Sequence, residues 1–199
     1  MKLVRVSAQD LPVETKALAQ ALLGCVLVRE SEEGTVAGRI VETEAYLPGD
    51  PACHAFTGRS PRNATLFGPP HRAYVYQIYG ISFCFNLSSE PEGEGAGVLV
   101  RALEPLVGLP LMRRRRGAEA LRDLCRGPGR LCQALAIDRK LDGADLFADG
   151  ALWLARADRE PARVRRSCRI GLTKAAHRRL RFYAAGSPFV SGPARLNPA

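Results

Sequence analysis

Arg39-Ile40-Val41-Glu42-Thr43-Glu44-Ala45-Tyr46 sets two carboxylates and an aromatic ring on one predicted strand. Apolar Ile40 and Val41, β-branched Thr43 and the lack of any Gly or Pro favour extended chain here. With a side-chain period of two, Ile40, Glu42, Glu44 and Tyr46 are expected on one face. Same-face neighbours stand roughly 6 to 7 Å apart at the backbone. Two acids so placed suit a half-solvated edge strand, and they also suit hydrolytic chemistry.

Upstream, Asp10 reads as an N-cap, with Pro12 in the first turn of a helix. Its apolar stripe is Leu18, Ala19, Leu22 and Leu23, and Gly24 is placed to stop it. Cys25 to Arg29 reads as a strand, Ser31 to Gly34 as a turn, and Thr35 to Tyr46 as the returning partner of a hairpin. Downstream, residues 47–72 form a long segment rich in Pro and Gly, with His54 and one short helix begun by Ser60-Pro61. Long loops inside compact domains are usually functional or mobile. His54, eight residues past Tyr46, is able to fold back over the Glu44 face.

Ala73 to Ser88 is the densest aromatic stretch, with a tight hairpin expected at Gly80. Tyr74, Tyr76 and Ile78 share a face, and Tyr79 falls near the tip. A ring there suits a duplex-probing wedge, since stacking offsets part of an unstacking cost of about a few kcal/mol; a sheet core of aromatics is the alternative. Asn86 is the polar exception among Phe83, Phe85 and Leu87. Gly95 to Leu103 reads as a strand whose lone charge, Arg101, needs a partner such as Glu42 or Glu44. Pro105 is expected to open a helix ending in Arg113-Arg114-Arg115-Arg116-Gly117. Gly127-Pro128-Gly129 then feeds a helix N-terminus with Arg130 and Arg139 nearby, an arrangement that presents free N–H groups to an anion. Further strands are expected near 151–155, 163–172 and 180–184, followed by a tail that is loose from residue 192. No repeat and no linker divides the 199 residues, so one domain over 1–199 is expected.

The second half of the chain is the basic one. Residues 1–100 carry 8 basic and 11 acidic side chains, and residues 101–199 carry 21 and 9, which makes the second half a candidate for binding a polyanion. The six cysteines are scattered, without a CxxC pair, and suit buried thiols in a reducing compartment better than a metal site or disulfide framework. No apolar run approaches the roughly 20 residues of a membrane span, and no signal-like start is present. A cytoplasmic protein, nucleoid-associated in a prokaryote, is expected, with no membrane partner and no metal or other cofactor. The residues alone leave three readings open: a nucleic-acid glycosylase, a binding module with structural glutamates, and a carbohydrate glycosidase. The basic half has no purpose on a neutral sugar.

Taken in order, 40–46, His54, Pro61-Arg62-Asn63, Tyr74 to Gly80, Asn86-Leu87-Ser88, Val100 to Pro105, Gly127 to Leu135 and Leu180 to Tyr183 closely resemble the alkyladenine (3-methyladenine) DNA glycosylase family. The resemblance covers nearly the whole chain. It implies an α/β mixed (α+β) fold, one compact domain around a curved antiparallel sheet, with a protruding β-hairpin that inserts into DNA. It implies a monofunctional enzyme, acting as a monomer on double-stranded DNA containing damaged purines. Such an enzyme flips alkylated or deaminated purines out and hydrolyses the N-glycosidic bond. By the resemblance Glu44 is the general base, and Arg101 with the Ile170 carbonyl holds the water. Tyr46, His54 and Tyr76 enclose the base, and Asn86 crowds a guanine 2-amino group. Tyr79 fills the space the base leaves. Tyr74, Arg116, Gly127, Gly129, Arg130 and Arg139 complete the DNA-contacting set.

Overall fold

The computed structural model describes residues 3–156 and 163–197. In chain order the elements are β1 (Val4–Arg5), α1 (Thr15–Ala21), β2 (Val26–Ser31), β3 (Gly34–Tyr46), β4 (Ala73–Ile78), β5 (Ser82–Ser88), β6 (Gly97–Val107), α2 (Leu109–Arg116), α3 (Leu121–Leu124), α4 (Pro128–Leu135), β7 (Leu152–Arg156), β8 (Val164–Ser167) and β9 (Arg181–Ala184). The strands form one open antiparallel sheet in the order β1-β7-β2-β3-β6-β5-β4. On the free half of β3's β2 edge, β9 pairs with Glu42 to Glu44 and β8 pairs with β9. Residues 39–46 therefore lie in a central strand paired on both edges, not at an edge facing water.

Helices α1, α2 and α4 cover one face of the sheet. Leu18 and Leu22 pack there with Ile40, Phe85, Val100, Leu103, Met112, Leu131 and Leu135, all but inaccessible. A smaller cluster of Val41, Ala102, Tyr183, Ala184 and Val190 lies apart from it. The expected face-sharing of Ile40 with the two glutamates does not hold, because two bulges interrupt the β3–β6 ladder between Ile40 and Thr43. Ile40 pairs with Leu103 and Glu42 with Ala102, which leaves Val41 extra; Thr43 then pairs with Val100, which leaves Arg101 extra. Each bulge bends its strand and re-aims a side chain. Together they put Ile40 in the core and turn Arg101 towards Glu42 and Glu44.

Local chemistry moved several expected boundaries. Asp10 does not cap α1. Leu11, which precedes Pro12, is held extended (φ −118°, ψ 136°), so Asp10 instead accepts from Ser7 and closes the short 3-10 turn Ala8–Asp10. Glu14 caps α1 through the N–H groups of Lys16 and Ala17. Ser60-Pro61 begins no helix, because the Asn63 carboxamide takes the Ser60 N–H at 2.7 Å; the 3-10 turn follows at Ala64–Phe67. Pro105 belongs to β6, opposite Gly38 at a register shift where its missing N–H is tolerated. Helix α2 starts only after Gly108, whose φ of 75° and whose closeness to the Thr35 carbonyl exclude a side chain. Strand 163–172 shortens to β8, since Arg169 and Ile170 turn away to bond elsewhere.

The tail expected to be loose from residue 192 is tied down: Arg181 donates to the Leu196 carbonyl at 3.0 Å and to the Asn197 side chain at 2.6 Å. Its last two positions, 198 and 199, lie outside the described residues. Among the described residues no helix is long and apolar enough to cross a membrane.

Candidate active site and nucleic-acid interface

The bulged centre of β3 holds a charge cluster sealed from solvent. Glu42 and Glu44 are both 0% exposed. Arg101 donates its Nε to Glu42 at 3.0 Å and brings Nη1 within 3.2 Å of Glu44. Burial alone would weaken the Arg101 cation, but Glu44 and then Glu42 more than reverse that, and its pKa is raised. Arg181, also 0% exposed, reaches Glu42 at 2.6 Å, and Ser191 adds its backbone N–H at 2.6 Å and its hydroxyl at 3.0 Å. Two carboxylates thus meet two guanidiniums, the balance a buried ionic group requires.

Glu44 is held differently. Its Oε1 accepts the Ile170 N–H at 2.8 Å, and its Oε2 accepts the Tyr46 hydroxyl at 2.8 Å. Burial, and then Glu44 itself, push the Tyr46 phenol pKa well up, so the hydroxyl keeps its proton and donates. The Tyr46 ring lines a pocket with His54, Tyr74, Tyr76, Asn86 and Leu172. His54 meets Tyr76 edge to face at 4.4 Å between centroids, and the Tyr74 hydroxyl lies 3.0 Å from His54 Nδ1. The Asn86 carboxamide donates to the Tyr74 carbonyl at 3.1 Å. Tyr74, expected among the DNA contacts, is only 2% exposed and belongs to the pocket wall, with its phenol pushed up to about 12 by burial first of all.

The hairpin of β4 and β5 ends in the two most exposed large apolar side chains among the described residues, Tyr79 at 92% and Ile81 at 86%. Tyr79 itself adopts a positive φ of 51°, which with Gly80 makes the turn. Beside the base of β5, the glycine turn of α4 fits closely, since a Cβ on Gly129 would stand 3.2 Å from Ser82. Arg116, Arg126 and Arg130 line a shallow depression there with Gly127, Gly129 and Ser82. Arg116 bonds the Leu124 carbonyl and Gln133, and Arg130 pairs with Asp123 at 3.3 Å. Arg139 stands under β4, with Nη1 on the Val75 carbonyl at 2.8 Å. The Arg113–Arg116 run divides, because Arg114 and Arg115 both close on Glu33 at 2.7 Å.

Sequence reading missed four members of the site. Arg181 and Ser191 complete Glu42, and Asp50 and Arg169 form a second sealed pair at 2.6 Å with the Arg169 guanidinium over the Tyr46 ring. Each is paired with a residue 119 to 149 positions away in the chain, so no local pattern announces them. Asn63, noticed only as part of a motif, pins the loop by donating to the carbonyls of His54 and Gly58. Its three-residue spacing from Ser60 is a signal that could have been read. Ile170, expected to act through its carbonyl, is seen to present its N–H to Glu44.

The profile of a family described as methylpurine-DNA glycosylase (MPG) matches residues 9–188. A Mesorhizobium japonicum relative, provisionally named a 3-methyladenine DNA glycosylase, is 56% identical over 191 residues, spanning 96% of this chain and 92% of its own. The human protein named DNA-3-methyladenine glycosylase is 50% identical over 191 residues, 87% of this chain and 63% of its own; the mouse protein of the same name is 50% identical over 200 residues, 92% and 59%.

Proposed function

The chain belongs to the methylpurine-DNA glycosylase family and is a DNA-3-methyladenine glycosylase, a hydrolase of N-glycosyl bonds; from that premise we propose how this site works and on what. A damaged purine is flipped from duplex DNA into the pocket and stacked between Tyr46 and the His54–Tyr76 wall. Base-to-aromatic stacking of about 1–3 kcal/mol offsets a flipping cost of about a few kcal/mol. Tyr79 fills the gap in the helix, while Arg116, Arg130, Arg139 and the Gly127–Gly129 turn hold phosphates. Asn86 crowds the 2-amino group of a normal guanine. The substrate class is alkylated and deaminated purines: 3-methyladenine, 7-methylguanine, hypoxanthine and ethenoadenine. One chain contains the whole site, and it acts as a monomer wherever the cell keeps its DNA.

Glu44 is the general base. Water loses a proton to the carboxylate as its oxygen bonds the anomeric carbon, and the purine departs with the electrons of the glycosidic bond. A cationic alkylated purine leaves as a neutral base and needs no strong acid. The observation that carries the reading is the Glu44–Tyr46 hydrogen bond at 2.8 Å, which joins a sealed carboxylate to the ring lining the purine pocket. Among the described residues, Oε2 takes this one bond and retains a second acceptor site for a water. Arg101 keeps compensating charge at 3.2 Å on the Oε1 side.

Glu44→Gln should retain binding to lesion-containing duplex and lose base release by on the order of 1000-fold or more in single turnover. Release is read as alkali-labile abasic sites, and a rate within tenfold of wild type would remove Glu44 from the chemistry.

A further inference from the structure

The Arg169 side chain is fully buried, and the groups it bonds belong to the frame around Glu44. Its Nη1 donates to Asp50 Oδ2 at 2.6 Å and to the Ala45 carbonyl at 3.0 Å, and its Nη2 donates to Asp50 Oδ1 at 3.2 Å. Its guanidinium carbon lies 4.6 Å from the centroid of the Tyr46 ring. Asp50 is sealed as well; burial opposes its ionisation, yet the Arg169 fork and the Ala52 N–H outweigh that and hold its carboxyl below the usual range.

Glu44 is followed in sequence by Ala45 and Tyr46, and Arg169 is followed by Ile170, whose N–H bonds Glu44. One guanidinium therefore binds the backbone just after Glu44, lies on the ring that donates to Oε2, and fixes the peptide whose N–H donates to Oε1. A planar fork does all three at once, whereas an ammonium, a point charge, cannot both bridge the two Asp50 oxygens and reach over the ring.

We propose that Arg169, locked by Asp50, is a positioning residue for base release, acting through Tyr46 and Ile170 to fix the Glu44 carboxylate against the pocket. The proposal rests on the reading of Glu44 as general base. It makes the Asp50–Arg169 pair part of the catalytic frame although neither side chain reaches the purine. A misplacement of about 1 Å in such a frame costs on the order of 100-fold in rate.

The test separates chemistry from binding. Single-turnover release of ethenoadenine from duplex DNA, and equilibrium binding of the same duplex, are measured for wild type, Glu44→Gln, Arg169→Lys and Asp50→Asn. Arg39→Lys, which disturbs the unrelated Arg39–Glu104 pair at 3.0 Å, serves as control and should alter neither quantity. Arg169→Lys is expected to slow release by roughly 10- to 100-fold while the dissociation constant stays within about threefold. Asp50→Asn, which leaves the cation over Tyr46 but loosens the fork, is expected to lose about 3- to 10-fold in the same way, and decides the matter if Arg169→Lys does not fold. Release within twofold of wild type in the folded variant, or rate and binding lost by the same factor, overturns the proposal. Retained release in Glu44→Gln would instead overturn the reading beneath it.

Discussion

The floor of the site and its rim are built on opposite physical rules. The floor, at the bulged centre of β3, is a dry ionic cluster in which Glu42, Glu44, Asp50, Arg169 and Arg181 show essentially no surface and each carboxylate is matched by a guanidinium. The rim, carried by the 47–72 loop and the β4–β5 hairpin, leaves His54 exposed and Tyr79 at 92%. The floor holds a geometry against the entropy of these charged side chains, so a missing partner there strands a buried charge. The rim has less to lose on its own, and its tip, Tyr79 and Ile81, stands open to solvent. Stability and recognition are therefore separable by mutation, more cleanly than proximity in space suggests.

Glu42 puts that separation under the greatest strain. Glu42→Gln would face the Nε groups of Arg101 and Arg181 and both donors of Ser191 with one acceptor in place of a charged pair. Removing one partner of a buried ion pair costs about 3–5 kcal/mol. For a chain of this size that lowers the melting temperature by roughly 6–20 °C. Denaturant unfolding of the purified variant checks it, and a loss under about 1 kcal/mol would mean that the cluster is not holding the sheet. Glu44→Gln, with one direct cation in place of two, should cost less stability and far more activity.

How far the sequence foretold this contrast depends on which side is considered. The rim was legible: Gly80 between alternating aromatics marks a hairpin with Tyr79 at its tip, and Gly127-Pro128-Gly129 marks a helix entry, both from chemistry within a few residues. The Glu42–Glu44 strand and the need of Arg101 for a carboxylate partner were legible too. The floor was not, for two reasons. Each bulge adds one residue and reverses the side-chain phase, so a strict period of two misplaces Ile40. And Arg169, Arg181 and Ser191 arrive from the last fifth of the chain, where they look like any arginine of a basic half or any serine of a tail. In the sequence, position relative to the aromatic cluster and the family pattern single out Glu44 over Glu42; in the structure the two have different partners, Tyr46 for Glu44, Arg181 and Ser191 for Glu42.

The rim allows the converse experiment. Tyr79→Ser removes a side chain that packs on nothing, and surface changes of that kind stay within about 0.5 kcal/mol of wild-type stability. If Tyr79 fills the space of a flipped base, release of a lesion in a stable pair should fall by on the order of 10-fold, and release of the same lesion in a mismatch should fall less, because a mismatched base is cheaper to flip. Equal losses on the two duplexes would count against a wedge.

The smallest effect is expected at His54, where rim and floor meet. Its pKa is lowered from the ordinary 6.5, by burial first and by the Arg62 cation second. In the unfolded chain the imidazole takes its proton near its ordinary value, and in the fold only at lower pH. Between those two points the unfolded state binds more protons, so the His54 contribution is intact above about pH 6.5 and is lost as pH falls through the folded value. More than a third of the residue is open to water, which screens the interaction and keeps the contribution under about 1 kcal/mol. Urea midpoints of wild type and His54→Gln, compared from pH 8 down to pH 5, should converge as the pH drops. Midpoints that instead move apart at low pH would mean that the folded state favours the imidazolium, as a cation paired with a carboxylate would, and His54 would then belong to the ionic floor.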